Sequence, residues 1–146
     1  MNTTASDIDT QKVIEKLNSI LELELATVVR CTHYSFMVFG HARIPIVSWL
    51  RSQATESLTH AHLAGEHITA LGGRTPRRVG SLLQEHKENI DDILTEMLAH
   101  ERQGIDLYCE LLGLVAGRNI GLEDYARQMV GLEEKDASEI EKMLLR

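Results

Sequence analysis

The sequence contains 146 residues, enough for one domain with its own hydrophobic core. Apolar residues make up 43% and charged residues 25%, and the net charge of -7 argues against nucleic acid or an anionic membrane as the main partner. No apolar stretch approaches the ~18 residues of a membrane span, and no basic start precedes an apolar run. We therefore expect no membrane span, no signal peptide and a cytoplasmic location.

The apolar pattern predicts an all-α chain. Strands are not indicated, because valine and threonine form no alternating runs, and there are only two prolines to interrupt helices. The predicted helices cover residues 8–39, 46–71, 83–116 and 122–145. The first should be capped by Ser6 or Asp7 and the fourth by Gly121 or Asn119.

The connections predict how these helices are arranged. Short turns join the first helix to the second and the third to the fourth, which should make each pair an antiparallel hairpin. The segment 72–82 joins the second helix to the third, and at up to ~3.5 Å per residue it could run the length of a helix. We expect a four-helix bundle with a long crossover between helices 2 and 3, in a single domain of residues 1–146.

Each predicted helix has a polar residue in the middle of its apolar stripe. The stripe of the first helix advances in steps of three and four, as a core-facing stripe does, through Val13, Leu17, Ile20, Val28 and Cys31. Its central position holds Glu24 instead of an apolar residue. The corresponding interruptions are His60 in the second helix, Glu101 in the third and Glu133 in the fourth.

These four interruptions predict a metal site. Helix midpoints lie at the same height in a bundle whichever way each helix runs, so the four side chains should meet in one layer. Any one of them alone is more often a misjudged surface position. Burying three carboxylates without a compensating charge would unfold an ordinary protein, and the stripes carry no Lys or Arg. Two divalent cations would supply that charge, and carboxylates with one imidazole favour iron, manganese or zinc.

This pattern resembles the ferritin-like di-iron proteins, and the bacterioferritins in particular. Those proteins place carboxylates on two helices and a Glu-x-x-His on each of the other two. The resemblance lies in the segments LELATVV (23–29), LAHERQG (98–104) and EEKDASEIEKML (133–144). The segment AGEHITALGGRTP (64–76) is similar to the end of the second helix in the Dps miniferritins. The resemblance implies a ferroxidase that oxidises Fe(II) at a di-iron site with O2 or peroxide, and that stores or detoxifies iron.

The resemblance also implies the ligands, which would be the catalytic residues. Glu24 and Glu101 would be terminal or bridging ligands, His60 the histidine of the second helix, and Glu133 the carboxylate of the fourth.

The sequence departs from the family at two ligand positions. The glutamate that the family has three residues before His60 is Ser57 here, but Glu56 stands four residues before and shares a helix face with the histidine. Asp136 replaces the fourth-helix histidine and can still ligate a metal. We therefore add Glu56 and Asp136 to the candidate metal ligands.

Three further properties of the family are not expected here. Bacterioferritins bind haem through a methionine two residues before the histidine, and Leu58 stands at that position, so no haem is predicted. Their chains continue into a fifth helix, which we do not expect because the sequence ends at Arg146. Dps proteins often bind DNA through a basic N-terminal arm, and MNTTASDIDT contains no Lys or Arg, so no nucleic-acid partner is predicted.

Apolar residues near the first turn predict a homo-oligomer. Phe36, Phe39 and Ile44 exceed what one four-helix core covers, and Trp49 follows on the next helix. We expect at least a dimer, with a 12-subunit shell as the other favoured assembly.

Cys31 and Cys109 are expected to be reduced core residues.

Two alternatives to the ferroxidase function stay open: another di-metal enzyme of the manganese catalase or oxygenase type, and a bundle whose site is degenerate.

Overall fold

The computed structural model describes residues 8–83 and 87–145, and it contains four helices and no strand within them. The helices are α1 (Thr10–Met37), α2 (Arg43–Ala70), α3 (Ile90–Val115) and α4 (Ile120–Leu144). Helix α1 packs against α2 and α3, and α3 packs against α4. The predicted all-α four-helix bundle is confirmed. Among the described residues, no helix has both the length and the apolar composition needed to cross a bilayer.

Side-chain caps decide where three of the helices begin. Asp9 accepts a hydrogen bond from the Lys12 amide and caps the start of α1. The predicted caps, Ser6 and Asp7, lie outside the described residues. Asn89 accepts from the amides of Asp91 and Asp92, and α3 therefore begins at residue 90 instead of the predicted residue 83.

The start of α4 matches one of the two predicted caps. Asn119 accepts a hydrogen bond from the Leu122 amide, whereas Gly121 lies inside the helix. Gly117, in the turn before it, has a φ of 72°, a left-handed conformation that glycine adopts without steric cost. The turn between α3 and α4 is short, as predicted.

The crossover between α2 and α3 is held against α1. The Gly80 amide donates to the Glu22 carbonyl at 2.8 Å, and Arg78 Nε donates to the Glu22 carboxylate at 2.8 Å. Arg30 of α1 donates twice to the Ser81 carbonyl, at 3.0 and 2.7 Å. A Cβ atom on Gly80 would lie 2.9 Å from the Glu22 carbonyl oxygen, so glycine permits this close approach.

The apolar core consists of two clusters with a polar layer between them. One cluster is built mainly from Val13, Leu17, Ile20, Ala64, Ile68, Tyr108, Leu111, Val115, Ala126 and Met129. The other is built mainly from Cys31, Tyr34, Val38, Val47, Leu50, Ile93, Leu94, Met97 and Ile140. Because the polar layer separates two well-packed ends, its side chains are shielded from solvent both above and below.

Two details of the core differ from the sequence predictions. The spacing of apolar residues predicts a core-facing stripe on the second helix that starts at Ile46 and Trp49, but both are only half-buried. The buried face of α2 instead carries Val47 and Leu50. Near the start of α2 the buried positions thus lie one residue further along the chain than predicted, whereas His60, in the middle of the helix, is buried as predicted. Cys109 is exposed rather than buried, although it is a free thiol like the buried Cys31.

Three apolar side chains at the α1–α2 turn are exposed, and we call Phe36, Phe39 and Ile44 the turn patch. Their exposed fractions are 59%, 67% and 83%. The guanidinium groups of Arg51 and Arg43 lie 5.4 and 5.9 Å from the centroids of the Phe36 and Phe39 rings. The patch therefore combines apolar and cationic surface on a chain whose net charge is -7.

Candidate metal centre

The polar layer brings together all six candidate ligands. Helix α1 contributes Glu24, α2 contributes Glu56 and His60, α3 contributes Glu101, and α4 contributes Glu133 and Asp136. The four residues that interrupt the apolar stripes are almost completely buried, with exposed fractions of 2% to 6%. The centre therefore draws on every helix of the bundle.

The first group of possible ligands is Glu24, His60 and Glu133. The Nδ1 atom of His60 lies 3.0 Å from Glu24 Oε2 and 3.3 Å from Glu133 Oε1. One possible ligand atom from each of the three residues lies within 4.8 Å of the other two. This spacing is compatible with coordination of one metal ion after small side-chain movements.

The second group is Glu101, Glu133 and Asp136, whose possible ligand atoms also lie within 4.8 Å of one another. Glu133 belongs to both groups, so its carboxylate stands between two potential metal positions. Glu56 lies beside the centre, with its Oε1 atom 3.8 Å from Nε2 of His60. The Glu56 side chain is 32% exposed and Asp136 is half-buried, so these two acids mark the side on which the centre approaches solvent.

Burial and mutual repulsion make this cluster costly to ionise. Burial, and then the adjacent Glu133, raise the pKa of Glu101. Burial also raises the pKa of Glu133, although hydrogen bonds from His60 and Glu101 partly offset the effect. The pKa of Asp136 rises because it is buried and lies near Glu56 and Glu101. Without metal, part of the cluster therefore holds protons near neutral pH.

His60 is the cationic partner of these acids. Burial alone would lower the pKa of its imidazole, but hydrogen bonds with Glu133 and Glu24 outweigh that effect and raise it to about 10. Within residues 8–83 and 87–145, each ion pair that involves a carboxylate of the cluster has His60 as its positive side chain. One imidazolium does not neutralise five carboxylates.

The residues present fit a pair of divalent metal ions. Glu101 Oε1 is buried and has no hydrogen-bond partner among the described residues. This is expected of an oxygen atom that coordinates a metal ion when the metal is bound. Five carboxylates and one imidazole are a donor set suited to iron, manganese or zinc. Two divalent ions would bring four positive charges into a layer that otherwise has to hold protons.

Tyr108 supports the centre in a way that the stripe pattern does not reveal. Its hydroxyl group donates to Glu24 Oε2 at 2.8 Å, and its side chain is fully buried. Such a hydrogen bond holds a ligand carboxylate in one orientation. In the sequence, Tyr108 follows Glu101 by seven residues and therefore lies on the same face of the third helix, but this spacing does not distinguish a partner of the centre from an ordinary core residue.

The two departures from the family pattern are visible in the structure. Ser57, where the family has a glutamate, is buried on α2 without offering a carboxylate, and the adjacent Glu56 approaches His60 instead. Asp136 supplies an oxygen where the family has a histidine. Leu58, at the haem-methionine position, is 41% exposed, and the expectation of no haem stays a prediction.

Comparisons with known proteins agree with this architecture. The chain is similar to ferritin-like diiron-carboxylate proteins from Bacillus anthracis, with a TM-score of 0.87 and 21% identity over 99% of this chain and 100% of that one. It is similar to a dodecameric thioferritin, a bacterioferritin-related protein from Bacteroides fragilis (TM-score 0.87, 20% identity, 97% and 89% of the two chains). A third similar structure is the bacterioferritin from Desulfovibrio desulfuricans (TM-score 0.81, 18% identity, 99% and 83%).

At these identities the structural likeness shows the fold. No curated protein sequence matches the chain significantly. The family model of the ferritin-like domain matches residues 14–146, which is nearly the whole chain. The protein therefore belongs to the ferritin-like family.

Proposed function

We propose that the protein binds two ferrous ions in the polar layer, oxidises them with dioxygen or peroxide, and releases ferric iron for storage or detoxification. The observation that supports this most directly is the pair of ligand groups that share Glu133. A carboxylate common to both groups can hold two metal ions close together. Two ferrous ions supply one electron each to the oxidant.

The residues of the chain have separate tasks in this proposal. Glu24 and His60 would hold one ion and Glu101 and Asp136 the other, and Glu133 would serve both groups. The two apolar clusters above and below keep water from the centre, which strengthens the electrostatic contacts between carboxylates and iron. The protons that leave the cluster when iron binds are released to solvent on the open side.

Glu56 and Asp136 would guide iron into the centre. They are the least buried of the six side chains, and they lie on α2 and α4 respectively. A ferrous ion that arrives from solvent meets these acids before it reaches the fully buried groups. The partial exposure of Glu56 also suits a ligand that moves between the metal and solvent.

The experiment is anaerobic loading of the iron-free protein with Fe(II), followed by addition of O2 or hydrogen peroxide. We expect bound iron of about two ions per chain and an optical signal of Fe(III) that forms rapidly. Glu133→Gln should abolish both, because this residue belongs to both ligand groups. Glu134→Gln is the matched control, since Glu134 is the adjacent, exposed glutamate on the same helix. Rapid oxidation in the first variant, or none in the wild type, would refute the proposal.

We also propose that the protein is a homo-oligomer, at least a dimer. The turn patch exposes two phenylalanines and an isoleucine beside two arginines, a surface that association would cover. The Bacteroides fragilis relative is dodecameric, so a 12-subunit shell is the other assembly we consider. Light scattering of the purified protein tests this, and a monomer would contradict it. Phe36→Ser and Phe39→Ser should lower the measured mass if the patch forms the contact.

A further inference from the structure

The two ligand groups of the metal centre differ in the atoms that they offer to a metal ion. The first group, Glu24, His60 and Glu133, combines an imidazole nitrogen with carboxylate oxygens. The second group, Glu101, Glu133 and Asp136, offers carboxylate oxygens and no nitrogen. Because Glu133 belongs to both groups, the other side chains account for the whole difference between the two positions.

The imidazole of His60 is directed at the first group. Its Nδ1 atom lies 3.0 Å from Glu24 Oε2 and 3.3 Å from Glu133 Oε1, whereas its other nitrogen, Nε2, faces Glu56 at 3.8 Å. In the described part of the chain, no other histidine belongs to either group. A nitrogen ligand is therefore a property of one of the two positions only.

The second group is more than a set of neighbouring acids. Glu101 and Glu133 are only 6% and 4% exposed, and Glu101 Oε1 is buried without a hydrogen-bond partner among the described residues. A buried oxygen of this kind needs a positive partner, and the group itself contains none. Asp136 is half-buried on the solvent side of the centre, so an ion bound there can keep water among its ligands.

Oxygen and nitrogen ligands favour different metal ions. Imidazole nitrogen suits iron, zinc and copper, whereas carboxylate oxygen and water suit manganese, magnesium and calcium. At a given site Mn(II) generally binds most weakly among the first-row divalent transition metals, so it competes best where no nitrogen ligand favours the other ions. The second group provides such a position, and the first group does not.

A single residue leaves the second group without nitrogen. Asp136 stands where the ferritin-like family has a histidine on the fourth helix, and its carboxylate completes the group. An imidazole at this position would make the two groups alike, because each would then offer one nitrogen. The difference between the two positions is thus a feature of this chain and can be removed by one substitution.

We propose that the all-oxygen group completed by Asp136 selects Mn(II), so that the centre holds Fe(II) beside His60 and Mn(II) beside Asp136 when both metals are present. The inference rests on the proposed function, because it assumes that the layer binds two divalent ions. With Fe(II) alone, both positions fill with iron and the reaction proposed above is unchanged. With Mn(II) present, the layer receives the same charge from two different metals.

The test uses Zn(II) as a redox-inactive substitute for Fe(II) and follows Mn(II) by electron paramagnetic resonance. Metal-free protein is incubated with one equivalent each of Zn(II) and Mn(II), and the bound metals are measured after gel filtration. We expect one ion of each metal per chain and the signal of isolated Mn(II). Equivalent positions would instead leave part of the protein with two coupled Mn(II) ions, whose signal contains additional and more closely spaced hyperfine lines.

Two substitutions at Asp136 assign the metals to their positions. Asp136→His gives the second group an imidazole, so the preference of this position for Zn(II) over Mn(II), measured by competition, should rise several-fold. Asp136→Asn weakens the second group and should lose the Mn(II) while it keeps the Zn(II). Glu134→His is the matched control, because Glu134 is exposed on the same helix and belongs to neither group. It should bind both metals as the wild type does.

The outcomes separate the metal assignment from the proposed function. Circular dichroism establishes that each variant folds, and Fe(II) oxidation by the wild type is measured separately. Coupled Mn(II) pairs in the wild type, an unchanged metal preference in Asp136→His, or loss of Zn(II) rather than Mn(II) in Asp136→Asn would overturn the metal assignment alone. A wild-type protein that binds neither Zn(II) nor Fe(II) would overturn both.

Discussion

Replacing Glu101 with Gln should stabilise the metal-free protein at neutral pH. Glu101 is 6% exposed, and its Oε1 atom has no hydrogen-bond partner in the described part of the chain. Burial raises its pKa from the usual 4.5, so in the folded state the group holds a proton that the unfolded chain releases. Glu101 therefore does not lower the free energy of unfolding below pH 4.5. Above pH 4.5 the free energy of unfolding falls as the pH rises, until the pH reaches the pKa of Glu101 in the folded protein.

The size of this effect follows from the difference between the pKa values of Glu101 in the folded and the unfolded state. Each pH unit above the unfolded pKa lowers the free energy of unfolding by about 1.4 kcal/mol, which amounts to about 3 kcal/mol at pH 7. Gln has the same shape as protonated Glu and never ionises. Glu101→Gln and the wild type should thus be equally stable near pH 4, and the variant should be more stable by up to about 3 kcal/mol at pH 7. For a chain of this length that difference corresponds to about 10 °C in melting temperature.

Metal should offset most of the stability advantage that Glu101→Gln has over the wild type at pH 7. A ligand that binds only the folded state adds about 2.7 kcal/mol at a concentration 100-fold above its dissociation constant. The wild type should gain this stability from anaerobic Fe(II) or from Zn(II), whereas Glu101→Gln, which lacks one ligand, should gain much less. A chelator should correspondingly lower the melting temperature of the metal-loaded wild type.

The assay is thermal and urea unfolding followed by circular dichroism from pH 4 to pH 8, in chelator and in metal. Glu66→Gln is the control, because Glu66 is exposed on α2 and lies outside both ligand groups. It should match the wild type in both conditions. The reasoning is refuted if Glu101→Gln is no more stable than the wild type at pH 7 in chelator, or if both gain equally from metal.

Three further predictions concern the centre and the crossover. Metal binding at pH 7 should release protons, because the raised pKa values of Glu101 and Glu133 leave protons in the metal-free centre. The metal affinity should therefore rise with pH. Calorimetric heats of metal binding that are identical in buffers of different ionisation enthalpy would contradict this. Asp136→Asn should reduce the bound metal from two ions to one per chain, measured by equilibrium dialysis, since this residue belongs to only one ligand group. Gly80→Ala should lower the free energy of unfolding, measured in urea, by about 1–3 kcal/mol, because its Cβ would lie 2.9 Å from a carbonyl oxygen of α1. Gly113→Ala should raise the free energy of unfolding by about 0.5–1 kcal/mol, because the space around Gly113 is open.

Helical periodicity was enough to predict the bundle and the composition of its polar layer. Glu24, His60, Glu101 and Glu133 stand out because each interrupts an apolar stripe near the middle of a helix. Midpoints of packed helices share one height in either direction, so the four could be grouped without knowledge of the topology. The lengths of the connections between helices were sufficient to predict the two hairpins and the crossover between α2 and α3.

Sequence periodicity was less reliable at helix ends and for helix rotation. Leu82 and Leu83 continue an apolar pattern ahead of α3, yet they belong to the crossover. The helix begins after Asn89, because the side chain of this residue accepts hydrogen bonds from the first free amides of the helix. Near the start of α2 the buried positions, Val47 and Leu50, were misjudged by one residue. Several neighbouring stripes on this helix are similarly apolar, and only packing against α1 selects one of them.

The tertiary structure alone decided how the site residues face one another. It places Glu133 in both ligand groups, turns Nδ1 of His60 towards Glu24, and brings the Tyr108 hydroxyl group to the same carboxylate. It also joins Tyr108 to Tyr125, on a different helix. These relations depend on helix rotation and on side-chain rotamers, and both are set by packing between residues that are far apart in the chain. Periodicity within one helix carries no information about them.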